Sequence, residues 1–100
     1  MEVQVVRVPS SNDLTIMSIG ESRGLKEPQL QKCVKIALGN PGAIHALADL
    51  REAMSGNAID FDIVLSCLEI KNLTGSVLYS FVKQHGVAGA VQNMKKWNWL

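Results

Sequence analysis

One hundred residues are enough for one domain with its own core and too few for a second independent one. Apolar residues make up 47% of the chain and charged residues 19%, which excludes an intrinsically disordered protein. The formal charge of +1, with only Lys95-Lys96 adjacent among scattered basic residues, excludes the strong field that draws nucleic acid or anionic lipid to a surface.

In chain order, Glu2 to Val8 is rich in valine, and Leu14 to Ile19 alternates β-formers with small polar residues. Pro9-Ser10-Ser11-Asn12-Asp13 between them is turn chemistry, so residues 1–20 read as an N-terminal β-hairpin. Two strands alone are marginal in water, so the hairpin must lie on the helices or extend through a partner chain. Gly20 to Gly24 then reads as a linker to a helical body over 26–100.

The first helix is expected from Pro28 to Leu38, with Leu30, Cys33, Val34, Ala37 and Leu38 on one stripe. Gly39 stops it, Asn40 caps the next helix, and Pro41 takes its first position. This second helix runs to about Ser55 with Ala43, Leu47, Leu50 and Met54 inward. The third starts at Asp60 as its cap, with a stripe of Phe61, Val64, Leu65 and Leu68. Ile63, Cys67 and Ile70 widen that stripe, which predicts a helix buried on more than one side. Thr74 caps a fourth helix reaching His85, with Val77, Leu78, Phe81 and Val82 inward. Its one formal charge, Lys83, marks it as the central helix. Gly86 ends it, and a fifth helix runs from Val87 to about Trp97 with Val91 and Met94 inward.

No residue earns a chemical role from its spacing. His45 and His85 have no Cys or carboxylate at metal-ligand intervals. His85 beside Gly86 reads as a helix-end residue facing free carbonyls. Asp60 and Asp62 are first-turn carboxylates favoured by the helix dipole. Gly20-x-x-x-Gly24 lacks both the P-loop ending and the dinucleotide spacing. The N–H groups of Gly42 and Ala43 offer an anion no more than any helix start does. Cys33 and Cys67, each within an apolar stripe, read as two reduced, buried thiols. The start of the chain lacks a signal-peptide pattern, and charges interrupt the apolar stretch from Phe61 to Val82, so a cytoplasmic protein is expected. Trp97 and Trp99 read as a tail folded back onto the core, with an interface between copies as the alternative.

At Gly39-Asn40-Pro41-Gly42-Ala43, and again from Leu68 through Gly75-Ser76 to Phe81-Val82-Lys83, the chain resembles a group of small bacterial and phage proteins of unassigned function. These pair a G-N-P-G-A helix start with a leucine-rich helix, a G-S turn and an aromatic-then-Lys helix. The resemblance covers Gly39 to Gly86, about half of the chain, and the hairpin and Trp-ended tail depart from it. It implies a small α-helical accessory protein carried on mobile DNA, and it supplies no catalytic residue, ligand or cofactor.

The expectation is thus one α+β domain over residues 1–100, mainly α, with five short helices and an N-terminal hairpin. No catalytic, cofactor-binding or metal residue is assigned. The expected function is a non-enzymatic interaction or regulatory protein, homodimeric through its strand edge or Trp97/Trp99 tail. One alternative is a helix-turn-helix DNA-binding regulator, with Asn72-Leu73-Thr74 as its turn, Gly75–His85 as recognition helix, and Lys83, Lys95 and Lys96 flanking it. The other is a small-molecule-binding protein or enzyme, with a pocket around His45 or Tyr79 and a polar partner.

Overall fold

A computed structural model describes residues 11–55 and 57–100. Among the described residues there are five helices and no strand: α1 (Ser11–Ser22), α2 (Gln29–Ala37), α3 (Pro41–Ala53), α4 (Ala58–Ile70) and α5 (Gly75–Lys96). The expected mainly α domain is present, and its hairpin is not. Leu14 to Ile19, the expected second strand, lies within α1; the expected first strand, Glu2 to Val8, falls outside the described residues.

The burial pattern explains the difference. Residues two apart share a face of a strand but lie on nearly opposite sides of a helix. Leu14 is 64% exposed while Ile16 is 1% exposed, and Ile19 and Gly20, three and four residues beyond Ile16, face inward with it. The expected linker is the end of this helix. The Gly24 N–H donates to the Glu21 carbonyl at 3.0 Å and the Leu25 N–H to the Gly20 carbonyl at 2.9 Å, the paired bonds of a Schellman cap. Gly24 stands at the left-handed position of that cap with φ of 91°, and Leu25, delivered by it, is 2% exposed.

Two further helix ends use the same device with asparagine. Asn72 (φ 56°) follows α4, with the Leu73 N–H donating to the Leu68 carbonyl at 2.9 Å. Asn98 (φ 65°) follows α5, with the Trp99 N–H donating to the Met94 carbonyl at 2.9 Å. Asparagine tolerates the left-handed region better than other non-glycine residues.

The helix starts follow the sequence closely, with one shift. The Asn40 side chain accepts from the Ala43 N–H at 3.2 Å, with Pro41 at the first position. The cap of α4 is Asn57, not Asp60. Its side chain accepts from the N–H groups of Ile59 and Asp60, both at 3.1 Å, and Asp60 sits in the first turn. Thr74 precedes α5 but makes no side-chain cap bond. The expected break at Gly86 is present as a kink (φ 76°, ψ 164°), so the expected fourth and fifth helices form the two halves of α5.

The central helix is α3. It packs on α1, α2, α4 and α5, and Ala43, Ile44, Leu47 and Leu50 are fully buried. The low charge of the first half of α5 misleads on this point, because Ser76, Tyr79, Ser80 and Gln84 give it a solvated face without formal charge. Leu38 also leaves its expected stripe: it is the left-handed C-cap of α2 and 66% exposed, while Ile36 is buried in its place. Among the described residues no helix is long and apolar enough to cross a membrane.

The tightest junction is between α3 and α5. A Cβ on Gly42 would lie 2.5 Å from the Tyr79 ring, closer than real contacts allow. Gly42→Ala should therefore lower stability by about 1–2 kcal/mol through overpacking. In a Tyr79→Ala background the same change should stabilise by up to about 1 kcal/mol through helix propensity. Urea titration of the four proteins measures both terms, and stabilisation in both backgrounds would contradict the close approach.

Candidate functional site

Two surfaces emerge from this packing. The first is a groove between α3 and α5, enclosing about 350 Å³ and lined by His45, Asp49, Tyr79 and Lys83 over Ala46, Val82 and Val87. His45 and Asp49 stand one turn apart on α3, so they project on the same side. Arg23, at the end of α1, reaches both. Its guanidinium contacts His45 Nδ1 at 2.7 Å and donates to the Asp49 carboxylate. A guanidinium only donates, so this contact is a hydrogen bond in the tautomer that leaves Nδ1 free to accept. On the opposite wall the Lys83 ammonium donates to the Tyr79 hydroxyl at 3.4 Å.

Imidazole, phenol and carboxylate thus meet in a water-accessible groove, a convergence that sequence spacing does not reveal. His45 and Asp49 at i and i+4 were the available signal, but Arg23 arrives through a helix end that the hairpin reading misplaces. The partners are already engaged with one another: Asp49 and Nδ1 face Arg23, and the phenol accepts from Lys83. No Ser, Thr or Cys is among the lining residues, so the polar groups of the groove are the imidazole, carboxylate, phenol and ammonium alone.

The other candidate residues are dispersed. The His85 ring lies 4.9 Å from that of Phe81, and His85 directly precedes the kink at Gly86. Phe81 in turn stacks on Trp97 at 5.7 Å, and Trp97 meets Trp99 at 5.3 Å. The tail is folded back as expected, with Trp99 packed against the core by the Asn98 cap and Trp97 45% exposed. Asp60 and Asp62 lie on opposite flanks of α4, and Asp62 pairs with Lys32 at 3.0 Å. The Ala43 N–H is already bonded to Asn40, and the Tyr79 ring lies against Gly42. Lys83 lines the α3–α5 groove, whereas Lys95 and Lys96 line a separate hollow beside Gly89, so these cations share no common hollow. Among the described residues no three His, Cys, Asp or Glu side chains gather at metal-binding distance.

The second surface is the outer face of α4. Phe61, Val64, Leu65 and Leu68 are fully buried as expected. The residues expected to widen that stripe face the other way: Ile63 is 41% exposed and Ile70 76%, with Cys67 half-buried beside them, and Ile59, which the expected helix left out, joins them at 74%. Ile59, Ile63, Cys67 and Ile70 recur every three to four residues and so form one stripe opposite the core. Among the described residues α4 is buried on one side only. Its inner flank is tied to α2 by Lys32–Asp62 at 3.0 Å and Lys35–Glu69 at 3.1 Å.

No family model, curated protein or solved structure matches the chain.

The two thiols differ sharply. Cys33 is fully buried, and loss of solvation pushes its thiol from the ordinary 9.0 up to about 12, with the charge of Arg51 acting weakly the other way. Cys67 is half-buried rather than fully buried as expected. At pH 8 and low protein concentration a thiol reagent should therefore titrate one cysteine rapidly in the native protein and two after unfolding. Two rapid equivalents in the native protein would contradict the packing of Cys33. Because the folded thiol ionises above the unfolded one, its contribution to stability is complete below pH 9 and is lost as pH rises toward 12.

Proposed function

We propose that this chain is a small non-enzymatic interaction protein whose working surface is the outer face of α4. One observation supports the reading above the others: Ile59, Ile63 and Ile70 stand exposed in a single stripe on a helix whose opposite face is completely buried. Isolated exposed apolar residues are ordinary, but an aligned set on one helix is the usual form of a docking face. A regulatory or accessory role, including carriage on mobile DNA, follows from the resemblance in the α3 and α5 segments and belongs to the same proposal.

The test replaces all three isoleucines by glutamine. Gln is at least as good a helix former as Ile, and the removed side chains face water, so the melting temperature should move by less than about 5 °C. Quantitative capture from the host cell should recover binding proteins with the native chain and lose them with the triple variant. Identical capture profiles for the two proteins would overturn the reading.

The groove between α3 and α5 supports a second reading, a small-molecule-binding protein, because His45, Asp49 and Tyr79 converge there. A ligand seated in it should raise the melting temperature of the native protein and leave a His45→Ala/Tyr79→Ala variant unmoved. A metabolite screen in which no compound raises the native melting temperature rejects this reading.

A further inference from the structure

We infer that the outer face of α4 is covered by the same face of a second copy of this chain, with the two helices antiparallel about a twofold axis. The inference rests on the reading of α4 as the working surface and names the occupant. A helix that is apolar on both sides belongs in the interior of a larger assembly, and among the described residues one side of α4 is left open.

Charge supports a second copy and fixes its direction. Asp60 and Lys71 lie on one flank of the stripe, near its two ends, and neither has an ion-pair partner among the described residues. Asp62 and Glu69 lie on the other flank, and each is already neutralised by a lysine of α2. A twofold axis perpendicular to two antiparallel helices brings like flank to like flank and the start of one helix to the end of the other. Asp60 then meets Lys71 of the other copy, and the symmetry generates this opposite-charge pair twice. On the second flank two acidic rows approach, but each brings its own lysines. Along the seam Ile59 packs near Ile70 of the second copy, and Ile63 near Cys67. A parallel arrangement would instead bring the Asp60/Lys71 flank against the Asp62/Glu69 flank of the other copy, setting Asp60 near Asp62 and leaving Lys71 only a Glu69 that Lys35 already neutralises.

The contact spans one helix of thirteen residues, about 20 Å long. So small an interface belongs to the weak, reversible class, with a dissociation constant of about 1–100 μM. Sedimentation velocity over a concentration series should show the 10.9 kDa chain passing to a dimer in that range. Lys71→Glu and Asp60→Lys should each raise the dissociation constant about tenfold or more, and the double swap should restore it to within about threefold of the native value. Each swap also opposes the helix dipole, so thermal melting is recorded for every variant and association is compared where all are folded.

Cross-linking reads the direction independently of these charges. In a Cys67→Ser background, chains carrying Ile59→Cys mixed with chains carrying Ile70→Cys should form a disulfide on mild oxidation. Either population alone should not, because the two like positions then lie about 16 Å apart along the axis. Cross-linking within each population and not between them would overturn the antiparallel arrangement. A native mass that stays at the monomer value throughout would overturn the second copy altogether. Loss of capture in the triple glutamine variant would then still hold the face for a different partner, so the two failures are distinguishable.

Discussion

The packing of α3 against four other helices is the constraint on which the rest of this molecule depends. Four other helices close on it, and they can do so because its sequence is small where they cross: Gly42 lies under the Tyr79 ring, and Ala43, Ala46 and Ala48 are buried. The G-N-P-G-A start thereby gains a physical meaning at each letter. Asn40 caps, Pro41 opens the helix, Gly42 admits α5, and Ala43 sinks into the core while its N–H bonds the cap. Exchanging those small residues for larger ones would separate the helices that form both the groove and the support of α4.

Much of this arrangement is written in local signals. The boundaries of α2 and α3, the inner face of α4, the break at Gly86 and the inward-folded tail all follow from apolar period and from Gly, Asn and Pro. What the sequence hides are competitions between signals. In Leu14 to Ile19 a β-branched, alternating string is compatible with a strand, yet Ile16, Ile19 and Gly20 also fall at helical intervals and have a core to reach. Gly24, read as flexible, is the terminator of that helix. Leu38 continues a helical stripe on paper, but the helix ends beneath it and turns it outward.

The candidate sites divide in the same way. The groove depends on Arg23 reaching across from α1, a juxtaposition of residues 22 and 26 positions apart that no local pattern encodes. Ile63, Cys67 and Ile70 stand out in the sequence as an apolar set beside the core stripe, but periodicity locates a face without saying what covers it, and Ile59 joins the set only because the helix starts earlier than Asp60. The sequence of α4 asks for burial on both sides, and the described residues supply one. That mismatch, rather than any reactive group, is the most informative property of the molecule. Its flanks carry the complementary detail, one already neutralised by lysines of α2 and the other with charges of opposite sign at its two ends that have no ion-pair partner among the described residues.

The most direct test of this account is solvent paramagnetic relaxation measured by NMR as protein concentration is raised. The account predicts that methyl groups of Ile59, Ile63 and Ile70 are strongly attenuated by a soluble paramagnetic probe in dilute solution and become protected at high concentration. Methyls lining the α3–α5 groove, such as those of Val82 and Val87, should keep the same attenuation throughout. Isoleucine methyls on α4 that remain equally accessible at every concentration would contradict it.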